Sequence, residues 1–145
     1  MIILDTNLLS ELMKPKKSEA VRNWTNQQPL MSLFTTTITQ AEILYGITLL
    51  AEGKRRDELA QAAQLMFSED FAGRILPFDQ NAAVAFANIA SQRRKNGTPI
   101  SQADAQIAAI CYIHRATIAT RNVSDFKGCG INIINPWEYK SIMET

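Results

Sequence analysis

The 145-residue chain has one histidine and two cysteines, and these scarcities already exclude several chemistries. One His and two Cys cannot build a standard structural zinc site, which takes four such ligands. A Ser-His-Asp triad would have to use the single histidine, His114, which closes a helical stretch where a basic residue suits the helix dipole. Cys111 lies in the apolar stretch Ile110-Cys111-Tyr112-Ile113 and reads as a buried free thiol. Glycine and proline, at 6 and 5, are too few for a disordered or fibrous chain. No apolar run approaches the roughly 18 residues that span a bilayer, which predicts no membrane association. The opening Met1-Ile2-Ile3-Leu4-Asp5 lacks a basic leader segment, which predicts a reducing, cytoplasmic setting. There is no Gly-rich phosphate loop ending in Gly-Lys. Charge of one sign is also missing. Fifteen basic residues stand against 14 acidic ones, a formal +1. That balance excludes a polybasic nucleic-acid clamp and an acidic tail, but a total conceals distribution.

What is present is an alternation of short apolar runs with helical stretches. Strand-like runs are predicted at 2–4, 34–38, 74–78, 117–119 and 131–134. Helices are predicted at 7–13, 18–26, 39–52, 54–71, 79–95 and 101–114. Gly53 is read as the stop between the third and fourth of these, and Asp79 as an N-cap. The strands are short, β-branched and apolar, as buried parallel strands are. Strands alternating with helices predict an α/β fold with a parallel sheet covered on both faces, one domain over 1–145.

In such sheets ligands bind beyond the carboxyl ends of the strands, so the residues that follow each strand matter most. Asp5 follows the first run. Glu42 comes shortly after the second, and Asp125 shortly after 117–119. Asp104 lies in the first turn of the 101–114 helix. Each acid has a plain structural alternative. Thr39-x-x-Glu42 and Ser101-x-x-Asp104 both fit a capping box, and Asp125 suits a turn. Asp5 has no evident capping role. If the elements are neighbours, the four carboxylates meet at one end of the sheet. Crowded carboxylates resist ionisation unless cations neutralise them, and hard oxygen clusters suit Mg²⁺ or Mn²⁺.

Four stretches carry a family likeness. They are Ile2-Ile3-Leu4-Asp5-Thr6-Asn7-Leu8-Leu9-Ser10-Glu11-Leu12, Thr37-Ile38-Thr39-Gln40-Ala41-Glu42-Ile43-Leu44-Tyr45-Gly46, Ile100-Ser101-Gln102-Ala103-Asp104-Ala105-Gln106-Ile107-Ala108 and Ala119-Thr120-Arg121-Asn122-Val123-Ser124-Asp125-Phe126. In this order the chain resembles the PIN-domain ribonucleases, and within them the VapC-type toxins of bacterial toxin–antitoxin pairs, in the FitB-like branch. The resemblance implies an α/β/α sandwich and an acidic pocket of Asp5, Glu42, Asp104 and Asp125, with Asn7 and Thr120 as small polar neighbours. It also implies endoribonuclease activity, a homodimer and inhibition by a small cognate antitoxin.

On this reading Asp5 and Asp104 are the main ligands of Mg²⁺ or Mn²⁺, and Glu42 and Asp125 complete the site. Arg121, between two motif positions, is the candidate for contact with the RNA backbone. Further basic candidates are Lys14, Lys16, Lys17 and Arg22; Lys54, Arg55 and Arg56; and Arg93, Arg94 and Lys95. The helices over 8–13 and 39–71 carry more apolar side chains than one core face needs, enough for a groove that takes a partner helix. Operator DNA would be met only through the antitoxin. Two alternatives remain open: a PIN-type nuclease acting on DNA or flap structures, and a non-catalytic DNA-binding partner module. Setting the four pocket acids aside leaves 10 acidic against 15 basic residues. The near-neutral total then describes a concentrated negative site in a mildly basic body.

Overall fold

A computed structural model describes residues 1–141. Residues 142–145 of the expected domain lie outside the described residues. The fold is the expected α/β one. Five parallel strands, β1 (Ile2–Leu4), β2 (Leu33–Thr36), β3 (Ile75–Leu76), β4 (Thr117–Ala119) and β5 (Asn132–Ile134), run in the order β3-β2-β1-β4-β5. Among the described residues seven α-helices flank them: α1 (Thr6–Leu12), α2 (Glu19–Gln27), α3 (Thr37–Thr48), α4 (Lys54–Leu65), α5 (Gln80–Lys95), α6 (Gln102–His114) and α7 (Val123–Phe126).

The central strands β1 and β4 are mainly apolar because each face of the sheet has its own core. Successive side chains of a strand point to opposite sides. Ile3 and Ile118 therefore enter one core, with Ala85 and Ile89 of α5, Ile107 and Ile110 of α6, and Phe126. Leu4 and Ala119, one residue later, enter the other, with Leu8 and Leu9 of α1, Val21 and Trp24 of α2, and Ile43 and Ile47 of α3. Alanine positions 82, 85, 105, 108 and 109 bring α5 and α6 close with little side-chain bulk between them.

Several boundaries differ from expectation, each for a local reason. β2 ends at Thr36, whose hydroxyl accepts from the Thr39 N–H at 3.1 Å and so caps α3. The helix thus starts two residues before the predicted position, and Glu42 is not part of a capping box. Gly53, with φ 151°, is the N-cap of α4 and not the end of α3, which stops at Thr48. The stretch predicted as one helix over 54–71 turns into a wider π turn at Met66–Asp70, closed by the Phe71 N–H donating to Met66 O at 3.0 Å. Asp5, read as having no capping role, does cap α1: its Oδ1 accepts from the Thr6 N–H at 2.8 Å. Asp79 and Ser101 are the N-caps of α5 and α6.

The strand order decides where a site can form. From β1 the chain winds outward through β2 and β3. It then returns to the other side of β1 for β4 and β5. The winding direction reverses between β1 and β4, and a crevice opens beyond the carboxyl ends of strands at such a reversal. The residues that leave these two strands are Asp5 and Thr120.

Candidate active site

Asp5 is the buried centre of this crevice, 3% exposed. Thr120, fully buried, donates its hydroxyl proton to Asp5 Oδ2 at 2.7 Å. The same hydroxyl oxygen accepts from the Asn122 N–H at 3.0 Å and from Asn7 Nδ2 at 3.4 Å. A hydroxyl has one proton and two lone pairs, so Thr120 is saturated and its proton is committed to Asp5. Asn7 joins the two strand ends a second time, because its Oδ1 accepts from the Arg121 N–H at 3.4 Å.

Glu42 reaches the site from the second turn of α3. Thr6, the first residue of α1, donates its hydroxyl to Glu42 Oε1 at 2.7 Å and lies 3.1 Å from the Thr39 hydroxyl. With its single proton on Glu42, Thr6 takes a proton from Thr39. Asp104 sits in the first turn of α6, half-buried, and its N–H donates to Ser101 Oγ at 3.2 Å. Asp125 lies in the short helix α7 and is exposed.

Burial raises the Asp5 carboxyl from its ordinary 3.8 to about 6. The Thr120 and Thr6 hydrogen bonds hold it down, while the charges of Asp104 and Glu42 push it further up. Asp104 is raised mainly by burial, and the charges of Asp125 and Glu42 add to this. The four acids therefore share one electrostatic neighbourhood. Among the described residues the ion pairs are Lys14–Glu11 and Lys54–Glu58, so none of the four is in a salt bridge, although the charge of Arg93 holds Asp104 down.

This donor set is all carboxylate oxygen, buried at one member and repelled by its own charge, which is the chemistry a hard divalent cation relieves. As the side chains stand, no three His, Cys, Asp or Glu among the described residues are drawn together tightly enough to hold one ion. Asp5 is pinned by two hydrogen bonds. Glu42 and Asp125 are exposed and Asp104 is half-buried, so rotation or bridging waters, which Mg²⁺ tends to keep, would complete a shared site. His114 ends α6, ten residues or about 15 Å of helix from Asp104, and takes no part.

The basic candidates separate into groups. Arg121 is exposed, with its guanidinium 5.4 Å from the centre of the Trp137 ring. Lys14 pairs with Glu11 at 3.0 Å. Arg94 and Lys95 are exposed at the end of α5, but Arg93 is 8% exposed and bonded inward, which removes it from the surface candidates. Sequence reasoning overlooked Thr6 and Thr39. The adjacency of Thr6 to Asp5 was the available signal, but its partner on α3 could not be read from the chain.

A groove of about 560 Å³ opens beside the acids between α1, α3 and α4. Thr6 and Glu42 line its inner end; Met13, Ile43, Ile47 and Leu59 line its apolar walls, with Lys14 and Arg55 also at its surface. Gly46 lies on it, and a Cβ added there would meet nothing within 4 Å.

Comparison with known proteins agrees with this architecture. Residues 2–127 match the PIN domain family. The chain is 39% identical over 138 residues to the VapC ribonuclease Y4jK of Sinorhizobium fredii, covering 95% of this chain and 99% of that one. It is 38% identical over 137 residues to Toxin FitB of Neisseria gonorrhoeae, covering 94% and 99%. Among solved structures it superposes on a chain of FitAB bound to an IR36 DNA fragment, with a TM-score of 0.90 at 37% identity over 98% of this chain and 99% of that one.

Proposed function

The chain belongs to the PIN domain family, and we propose that it is the ribonuclease toxin of a toxin–antitoxin pair, hydrolysing RNA phosphodiester bonds at the Asp5 crevice. The observation that carries this reading is Asp5 itself. It is a buried carboxylate at the winding reversal, pushed up to about 6, in the field of Asp104 and Glu42 and without a basic partner among the described residues. A buried carboxylate with a raised pKa, like charges around it and no basic partner has the character of a metal ligand.

Asp5 and Asp104 would hold Mg²⁺ or Mn²⁺, with Glu42 and Asp125 completing the site. When bound, such an ion lowers the pKa of a water and offsets charge developing on the phosphate. The chain's own residues do the rest. Thr120 and the Thr6 N–H fix the orientation of Asp5. Glu42 Oε1 already accepts from Thr6, which leaves Oε2 to take a proton from the attacking water. Arg121, next to Thr120 and outside the acidic crevice, meets the RNA backbone.

The groove between α1, α3 and α4 would seat an apolar antitoxin helix, whose entry beside Glu42 would close the crevice. The names Toxin FitB and VapC ribonuclease, and the FitAB assembly among the solved structures, support a toxin that works with a partner protein. The same reading expects a cytoplasmic homodimer that meets operator DNA only through the antitoxin. Among the described residues, no helix is long and apolar enough to cross a membrane.

The test is incubation of the purified chain with labelled RNA and, in parallel, labelled DNA, with Mn²⁺ or with EDTA. RNA cleavage is expected with Mn²⁺, abolished by EDTA and lost in Asp5→Asn. Cleavage that persists in Asp5→Asn, or that is confined to DNA, would overturn the assignment.

A further inference from the structure

The last turn of α5 carries a side chain that the proposed chemistry does not use. Arg93 is 8% exposed, while Arg94 and Lys95 beside it are in solvent. Its Nε donates to Thr98 O at 2.6 Å and lies 3.2 Å from Thr98 Oγ1. Its Nη1 donates to Asp125 O at 2.7 Å and Lys127 O at 2.9 Å, and lies 3.5 Å from Cys129 Sγ. The 97–99 turn closes over it, with Gly97 at φ 76° and the Thr98 N–H donating to Arg93 O at 2.9 Å. No carboxylate pairs with it among the described residues.

The carbonyl partners of its Nη1 belong to α7 and the residue after it. A four-residue helix leaves its last carbonyls without partners of its own, and a cation at that end also suits its dipole. Phe126, 1% exposed, anchors α7 on the core side. The Asp125 carboxylate is exposed and receives no hydrogen bond from a described residue, so only its backbone directs it. That backbone is held by the Asp125 N–H, which donates to Asn122 O at 3.1 Å, and by Arg93 at its carbonyl.

We propose that Arg93 is a positioning residue, holding the α7 backbone so that the Asp125 carboxylate is directed at the Asp5–Asp104 crevice. The inference rests on the metal pocket proposed above and assigns a buried basic residue to its assembly, not to RNA contact.

Calorimetric titration of the metal-free protein with Mn²⁺ tests it, in the unmutated chain, Asp125→Asn, Arg93→Gln, Arg93→Lys and the Arg93→Gln/Asp125→Asn double variant, with thermal melts alongside. Arg93→Gln is expected to weaken Mn²⁺ binding by about tenfold or more, as loss of a residue behind a ligand does. Arg93→Lys, which keeps the charge but not the forked donors, should weaken it too. The double variant should bind no more weakly than Asp125→Asn alone, because Arg93 acts through that carboxylate. Unchanged affinity in Arg93→Gln, full rescue by lysine, or losses that add in the double variant would overturn the proposal. Absence of Mn²⁺ binding in the unmutated chain would instead remove the pocket itself. Should the Arg93 variants not fold, Mg²⁺ titration of the unmutated protein by NMR decides: the Arg93 Nε–H and Asp125 amide signals should shift with one midpoint, and an unmoved Arg93 signal beside a shifting Asp125 would refute the coupling.

Discussion

Thr120 Oγ1 donates to Asp5 Oδ2 at 2.7 Å, joining residues 115 positions apart at the ends of adjacent strands. The contact orients the buried carboxylate and offsets part of the cost of its burial.

Removing that donor has a specific signature. Thr120→Val keeps the side chain's shape but leaves Asp5 Oδ2 without its proton donor. Hydrogen bonds to charged groups contribute about 1.5–3 kcal/mol, so stability at neutral pH should fall by about that amount in urea unfolding. The Asp5 carboxyl should titrate above its present value of about 6, and Thr120→Ser should restore both. An unmoved Asp5 titration, followed by carboxyl-carbon NMR, would contradict the role given to Thr120.

Stability of the metal-free protein should fall as pH rises through about 6. In the folded state Asp5 has its pKa raised above the ordinary 3.8, so between these values the folded chain binds more protons than the unfolded one. Unfolding then becomes easier with increasing pH. The rise from 3.8 to about 6 corresponds to at most about 3 kcal/mol. Thermal melts without metal at pH 5 and pH 7.5 should show the lower midpoint at pH 7.5, and Mn²⁺ should raise that midpoint. Asp5→Asn should lose the part of this pH dependence that Asp5 contributes and keep the part due to the raised Asp104.

Gly46 offers a way to block the groove without harming the fold. It lies in the middle of α3, and an added Cβ meets nothing within 4 Å. Gly46→Leu should leave the melting temperature unchanged or raise it, since glycine costs about 1 kcal/mol in a helix interior. It should weaken binding of a groove-seated antitoxin helix by tenfold or more. Co-purification and calorimetry with the proposed antitoxin measure this, and full affinity would place the partner elsewhere.

Arg121 is separable from the fold in the same way. Its stacking on Trp137 is exposed and contributes only about 0.5–1 kcal/mol. Arg121→Ala should therefore melt close to the unmutated chain, yet bind RNA more weakly and with a salt slope shallower by roughly one ion. Binding that keeps its salt dependence would remove Arg121 from the RNA path.

Much of the fold was legible because its signals are local. The runs at Ile2–Leu4 and Thr117–Ala119 are β-branched and apolar enough to be strands buried on two faces, and they form β1 and β4. Ser101 and Asp79 cap the helices that follow them because capping needs only a side-chain oxygen and the next turn's N–H. The start of α3 was misplaced because four threonines within residues 35–39 could each serve as strand or cap. Thr36 took the cap only because its own strand ends there against β3.

The acidic site divides along the same line. Which residues bear carboxylates just beyond strand-like runs is a property of the sequence alone, since it depends on periodicity and nearest neighbours. That Asp5 faces Thr120, that Glu42 is held by Thr6, and that Arg93 turns inward to the α7 carbonyls depends on the order β3-β2-β1-β4-β5. Strand order is decided by which apolar faces bury one another over long separations. Only the tertiary structure could therefore turn four scattered acids and one apparently surface arginine into a single neighbourhood.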